Sequence, residues 1–438
     1  MNLFLFKIYQ FLKFRNRKFA KNPNIIFKEL NESQYWTREK LEEYQLKKIN
    51  NLLLLAKESS PYYAEKYKNI SLPLSNIEEF RNAIPTISKD EIMENLKGVR
   101  TKNFSNQYHH TTSGTTGNPL TAYISGMTES VREACHIRFH DWWGINQNDQ
   151  NIYIAIIKSG GRKSLISKIK KYIRGRHDID VFDLSEKTIL RYFSEIEKFK
   201  PSYIRGYKSA LLELTKLMDL KNLRFKNFKL KAAIVTSEVL YDNERKFIEG
   251  VLGCKLANEY GSVEAGLYAN ECPYGSMHIN EEAVYIHTNS ENEAIVTELD
   301  NDSMPLINYK NDDLVLISEN NCECGRTSRV IDEVKGRVTG YVIRPDGSKI
   351  NQIIINRILM QLDKGEFNNT VRKFQVIQKG QTFVVKIEPL ENFRKGCKDF
   401  ISKRLYEEIG KDINIEFEIV DKIERDKSGK YRIFKNEG

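Results

Sequence analysis

The chain is 438 residues long, 40% hydrophobic and 29% charged, an ordinary composition for soluble globular domains and enough length for two or three of them. Its net charge of +10 is the small difference between 69 basic and 59 acidic residues interleaved along the chain. Such diffuse charge suits anionic small molecules or an anionic membrane surface, and it argues against nucleic acid, which calls for a basic stripe. Six cysteines in this length read as cytosolic thiols or metal ligands, not as a disulfide framework.

Residues 1–35 form a basic amphipathic leader. Leu3, Phe4, Phe6, Phe11 and Phe14 alternate with Lys7, Lys13, Arg15 and Arg17, without the order of a signal peptide. The leader either lies on an anionic leaflet through residues 1–20 or packs on the protein's own surface. No segment reaches the roughly 18 apolar residues of a membrane span, so the expected location is cytoplasmic, with peripheral membrane contact as the variant.

Helical periodicity is predicted over Thr37–Lys57. Next comes Thr111-Thr-Ser-Gly-Thr-Thr-Gly-Asn-Pro119, in which five hydroxyl side chains alternate with two glycines. Glycine lets backbone N–H groups approach a ligand, and Ser/Thr hydroxyls add donors for phosphate oxygens. Asn118 and Pro119 stand where a Walker loop needs Lys and Ser/Thr, so this is a different phosphate loop or a plain polar turn. His109 and His110 precede it, either touching the ligand or serving structure.

Strands Ile152–Ile157, Leu230–Val235 and Lys255–Asn258 alternate with helices Ser185–Phe199, Ser209–Leu220 and Asn243–Leu252, which predicts α/β architecture. A strand-rich stretch follows, with Ala283–His287, Glu293–Glu298 and Leu314–Ser318. The pattern changes near residue 341. Strands Lys373–Ile377 and Phe383–Pro389 form a hairpin around Lys379-Gly380-Gln381, followed by helix Phe393–Ile409 and strand Ile413–Val420. The expected division is a large domain over 1–338 and a small α+β domain over 339–438, hinged near Gly336–Gly340.

Five stations recur in order: the hydroxyl–glycine loop, Asn258-Glu259-Tyr260-Gly261-Ser262-Val263-Glu264, Met304–Leu314, Gly336-Arg337, and Asp426-Lys427-Ser428-Gly429-Lys430-Tyr431-Arg432. Together they resemble the adenylate-forming superfamily of acyl-CoA synthetases. Pro61-Tyr62-Tyr63, Ile84–Lys89 and Arg205–Leu211 narrow the resemblance to the phenylacetate–CoA ligase family and its capsular-polysaccharide-biosynthesis branch. The resemblance runs from about residue 35 to the end of the chain.

The resemblance implies a large domain of doubly wound sheets with a β-rich subdomain, and a small C-terminal lid. It implies ATP- and Mg²⁺-dependent activation of a small-molecule carboxylate as an acyl-adenylate, with pyrophosphate release. The acyl group then passes to coenzyme A by family analogy. The alternatives are an amino sugar, a carrier protein, or a degenerate nucleotide-binding scaffold or membrane adaptor. By similarity Ser113, Gly114, Thr115, Thr116 and Gly117 hold the β- and γ-phosphates. Glu259, Tyr260 and Gly261 border the nucleotide and acyl pockets, and Glu264 reaches Mg²⁺. Asp313 accepts from the ribose hydroxyls, Arg337 contacts ribose or phosphate, and Lys430 reaches between carboxylate and α-phosphate. Family members are often homodimers.

Simpler readings stand beside these roles. Glu264 would cap a following helix, Asp312-Asp313 would be a turn pair, and Lys430 a solvated lysine. The chain also departs from its relatives: Leu120 replaces a common lysine, Val263 a Ser or Thr, and Thr339-Gly340 the acidic pair often seen at the hinge.

Cys272, His278 and Cys322-Glu323-Cys324 offer three thiolates and an imidazole, the donor set of a structural Zn²⁺. Cys324-Gly325-Arg326 matches a pattern carried by members of the resembled family. Buried thiols beside an unrelated histidine are the alternative. Trp142 and Trp143 are candidates for an aromatic acyl pocket or for core.

Overall fold

The computed structural model describes residues 19–102, 108–111, 120–155, 175–319, 322–337, 341–362, 367, 370–394, 396–425 and 432–437. Helices α1 (Pro23–Ser33) and α2 (Arg38–Ser59) open it, then the short α3 (Pro61–Lys66), α4 (Ile77–Ala83), α5 (Lys89–Glu94) and α6 (Leu96–Val99). Strands β1 (Tyr108–Thr111) and β2 (Thr121–Ile124) precede helix α7 (Gly126–Trp142). Next come β3 (Asn151–Ala155), β4 (Arg176–Asp180), α8 (Ile189–Phe199), β5 (Tyr203–Tyr207), α9 (Lys208–Leu220), β6 (Ala232–Thr236) and α10 (Asp242–Leu252). Seven strands follow: β7 (Leu256–Ser262), β8 (Gly266–Glu271), β9 (Met277–Ile279), β10 (Val284–Thr288), β11 (Glu293–Glu298), β12 (Tyr309–Ser318) and β13 (Val330–Arg337). The C-terminal part holds β14 (Tyr341–Ile343), β15 (Lys349–Asn351), α11 (Ile353–Leu362), β16 (Val371–Lys379), β17 (Thr382–Pro389), α12 (Gly396–Ile409), β18 (Asn414–Ile419) and β19 (Phe434–Asn436).

The mixed α/β class and the small C-terminal domain agree with the sequence reading. Helix α2 starts on the Thr37 cap, whose hydroxyl accepts from the Lys40 N–H. Helix α8 begins a turn later than its periodicity predicts. Ser185 N–H donates to Thr188 Oγ1 at 3.0 Å, so a hydroxyl turn replaces the first helical bonds. Helix α7 was not anticipated, because its buried side includes Thr128, Glu129, Ser130 and Arg138 and shows no apolar stripe. Helix α11 was also missed: Ile353-Ile-Ile and Leu359-Met360 blur helical and strand periods.

The chain forms two units. The first takes residues 1–150, 163–176 and 257–334. Its strands run in the order β10-β11-β12-β13-β9-β8-β7, with antiparallel pairing at β10–β11, β11–β12, β13–β9, β9–β8 and β8–β7. Tyr63, Phe80, Tyr268, Tyr285 and Tyr309 are fully buried in its core. Arg138 of α7 is buried there as well, bonded to both oxygens of Glu282 at 2.7 and 3.1 Å and to Leu30 O at 3.0 Å. One planar guanidinium thus ties α7 to α1 and the sheet.

The second unit takes residues 151–162, 177–256 and 335–438. Here β6, β5 and β3 are parallel neighbours, with β4 beyond β3. Helix α9 crosses over between β5 and β6. Gly206 permits this packing, since a Cβ there would sit 2.8 Å from Leu211 Cδ1 and 3.0 Å from Ile154 O. In the C-terminal part, β16 and β17 form the expected hairpin, turning at Gly380 with φ +60°. Parallel β18 and β19 flank it, and Ile358, Phe383, Val385 and Leu405 fill its core. Among the described residues no helix is long and apolar enough to cross a membrane.

Candidate active site and metal centre

Strand β7 is longer than predicted and runs through Tyr260 and Gly261 to Ser262. It turns over residues 263–265 directly into β8, so no helix follows for Glu264 to cap. Gly261 is required by close approach: a Cβ would meet Gly266 O at 2.4 Å. Ser262 Oγ accepts from the Ala265 N–H at 3.0 Å and from Tyr268 OH at 2.7 Å, which closes the turn.

Helix α7 braces this turn from outside. Arg132 donates to Val263 O at 3.2 Å and Glu264 O at 2.9 Å, and binds Glu298 at 2.6 and 2.9 Å. One helical turn on, His136 Nδ1 lies 3.2 Å from Glu259 Oε1, and Glu259 is buried. Burial raises the Glu298 carboxyl, and the Arg132 guanidinium opposes that rise.

Asp313 lies within β12, not in a turn. Opposite β11 the register steps from Ile295↔Lys310 to Glu293↔Leu314, so residues 311–313 bulge, and Asp312 takes a positive φ of 63°. The bulge brings Asp313 to Tyr260. Tyr260 OH donates to Asp313 Oδ2 at 3.0 Å, and Asn311 Nδ2 donates to the same oxygen at 3.2 Å. Asp313 N–H donates back to Asn311 Oδ1 at 3.1 Å. Burial first, and the neighbouring Asp313 charge second, hold the Tyr260 hydroxyl well above the ordinary phenol range, so it stays a donor.

Glu264 is also buried, and Tyr309 OH donates to its Oε1 at 3.3 Å. Burial and the Glu264 charge raise the Tyr309 phenol. Tyr260, Asn311 and Asp313 thus form one hydrogen-bonded cluster from two sequence stations, while Glu264 pairs with Tyr309 and Glu259 lies beside His136. Arg132, His136, Asn311, Tyr309 and Tyr268 were missed as supports. Asn311 and Tyr309 sit inside the quoted stations, whereas Arg132 and His136 carry no signal outside α7. His110 Nε2, read as touching the ligand or serving structure, pairs with Glu129 at 2.8 Å. Residues 112–119, with Ser113–Gly117, and residues 426–431, with Lys430, lie outside the described residues, as does the Arg337 side chain at the end of β13.

The four expected zinc ligands do converge. Their ligand atoms all lie within 4.8 Å of one another, with Cys272 Sγ 3.7 Å from Cys322 Sγ and Cys324 Sγ 3.1 Å from His278 Nε2. A tetrahedral shell with Zn–S near 2.3 Å puts sulfurs about 3.8 Å apart, so the donor set fits zinc. Two tight turns carry it, with Gly275 and Gly325 at positive φ of 90° and 77°. Burial lowers His278 to about 4, which keeps the imidazole neutral, and Ser328 Oγ engages Nδ1 at 3.2 Å, which leaves Nε2 facing the thiols. Burial also pushes the Cys272 thiol up to about 12.

Both tryptophans have structural partners. Trp142 meets the His278 ring edge-on at 6.0 Å, lies under Arg326 at 4.1 Å, and donates to Gln34 Oε1 at 2.9 Å. Trp143 donates to Glu271 O at 2.8 Å.

Residues 342–437 match the family model described as the CapK C-terminal domain. Over 412 residues the chain is 24% identical to Protein CapK of Staphylococcus aureus, covering 89% of this chain and 88% of that protein. A crystal structure of 2-hydroxyisobutyryl-CoA ligase in the postadenylation state with R3-HIB-AMP superimposes with a TM-score of 0.71 at 17% identity, over 92% of this chain and 91% of that one. An anthranilate CoA ligase with anthranoyl-AMP gives a TM-score of 0.50 at 13% identity, over 74% and 64%.

Proposed function

This chain is a CapK homologue with the fold of the adenylate-forming ligases, and from that premise we propose that it activates a carboxylate with ATP. The carboxylate attacks the α-phosphate, an acyl-adenylate forms, and pyrophosphate leaves. The acyl group then passes to coenzyme A or another acceptor, in a role within surface-polysaccharide synthesis. The observation that carries this reading is the Tyr260–Asp313–Asn311 network, in which a buried phenol and an amide orient one carboxylate.

In this reading Asp313 accepts from the ribose hydroxyls, with Tyr260 fixing its free lobe toward the nucleotide. Gly261, which lets β8 pack closely on β7, and Glu259 would border the same pocket. Glu264 would hold Mg²⁺, which supplies charge neutralisation at the phosphates. Ser113, Gly114, Thr115, Thr116 and Gly117 would donate to the β- and γ-phosphates, Arg337 would contact ribose or phosphate, and Lys430 would meet the charge developing at the reacting oxygens. Cys272, His278, Cys322 and Cys324 would hold a structural zinc far from any chemical role. Reduced thiols and a nucleotide substrate fit a cytoplasmic enzyme.

The test is pyrophosphate release from ATP and Mg²⁺ across aromatic, fatty, amino and sugar-derived carboxylates, with Lys430→Ala as control. Release with one class, lost in the variant, supports the reading and identifies the substrate class. ATP binding with no release for any carboxylate would replace it with a nucleotide-binding scaffold.

A further inference from the structure

Helix α9 carries Glu213, which is 3% exposed and faces the C-terminal domain within the second unit. Arg425 Nη2 donates to Glu213 Oε2 at 2.7 Å, Lys373 Nζ lies 3.1 Å from Oε1, and Arg372 pairs with that same oxygen. Arg372 and Lys373 also reach Glu388 of β17, at 2.9 and 3.8 Å. Three cations therefore meet two buried carboxylates. Burial raises Glu213, but Lys373, Arg372 and Arg425 together hold it below the usual range, so it is charged.

The seam continues toward the turn after β6. Arg425 Nη1 donates to Ser209 Oγ at 2.8 Å, and Ser209 donates to Glu238 through its N–H at 2.6 Å and its hydroxyl at 3.0 Å. Lys216 adds a bond across the seam to Val371 O at 3.3 Å. Apolar side chains of equal volume would join two surfaces at least as firmly as buried ion pairs. What a charged seam adds is the ability to part into water without leaving a sticky apolar face, because each ion regains its hydration.

We propose that Glu213, Arg372, Lys373 and Arg425 form a separable ionic latch between α9 and the C-terminal domain, with Ser209 linking it to Glu238. Arg425 is then a positioning residue for adenylation, acting through the placement of the domain that carries Lys430. The link to adenylation rests on the function proposed above; the latch itself does not.

The experiment uses the full chain and two variants, Glu213→Gln and Arg425→Gln, with Arg425→Lys and Ser209→Ala as milder companions. Lysine acetylation read by mass spectrometry reports opening. Lys216 bonds the C-terminal domain across the seam, whereas Lys208, on the same helix and also 5% exposed, pairs with Glu244 of α10 at 2.6 Å. The expected result is a rise of about tenfold in Lys216 labelling with Lys208 unchanged. ATP–pyrophosphate exchange should fall by about tenfold, while acyl transfer from added acyl-adenylate stays within about twofold, and Arg425→Lys should recover part of the exchange. Equal labelling of Lys208 and Lys216 in every variant, or no change in Lys216, overturns the latch. Labelling confined to Lys216 with both half-reactions reduced alike overturns the positioning role. A wild-type chain without pyrophosphate exchange would instead remove the proposed function, and the labelling arm would still decide the latch.

Discussion

Tyr260 and Asp313, fifty-three residues apart in sequence, share a hydrogen bond of 3.0 Å from the phenol to Oδ2. Two strands had to be brought together for it, and a bulge in β12 had to re-aim the acid. Asn311 bonds both partners, at 3.3 Å to the Tyr260 oxygen and 3.2 Å to Asp313, so the carboxylate is oriented before any ligand arrives.

Tyr260→Phe removes one donor and leaves Asn311 in place. The loss of such a bond to a charged group, on the order of 1.5 kcal/mol, predicts roughly tenfold weaker binding of a non-hydrolysable ATP analogue by calorimetry. Asp313→Asn, which keeps the shape but removes the charge, should weaken binding further. Unaltered affinity in both variants would detach this network from the nucleotide.

Gly261→Ala places a Cβ against backbone at 2.4 Å, and neither β7 nor β8 can yield without breaking their pairing. Overpacking of this kind costs about 1–3 kcal/mol. Urea denaturation should show a lower midpoint with an unchanged slope. A midpoint equal to wild type would mean that the β7–β8 turn adapts freely.

Protein purified without added zinc should carry about one zinc per chain. Cys322→Ser should lower that content and reduce the thermal midpoint, because metal-binding energy is folding energy here. Full stability of a zinc-free wild-type chain would assign the four side chains to ordinary packing.

His287 is buried, with Nε2 3.2 Å from Asn308 Oδ1. Burial, helped by Arg81 and Arg329 and opposed by Asn308, lowers it to about 4. Its unfolded value lies near 6.5. The unfolded chain therefore takes up the proton first as pH falls. Stability is fully present above about pH 6.5, declines toward pH 4, and the total loss from this group is up to roughly 3 kcal/mol. His287→Gln should flatten the stability curve in that window. Identical slopes for wild type and variant between pH 6.5 and 4 would exclude His287 as the group responsible.

Much of the architecture is written locally. The α2 cap at Thr37, the parallel strands around β5, and the β16–β17 hairpin at Gly380 follow from periods and turn chemistry that a short window contains. The Cys272, His278, Cys322 and Cys324 cluster was likewise legible, because its residue types are rare and their spacing is tight at each end.

Tertiary structure decided what no window contains. Helix α7 buries Arg138 and half-buries Arg132 and His136, and only the strands opposite reveal what these side chains meet. The simpler reading of Asp312-Asp313 as a turn pair falls only when the β11 register exposes the bulge beneath it. Glu213, Arg372, Lys373 and Arg425 are scattered among many like residues, and their meeting depends on where the C-terminal domain rests on α9. Charge and polarity are properties of a residue, but partnership at 3 Å is set by long-range packing. The sequence therefore determined which groups were available, and the fold decided which of them act together.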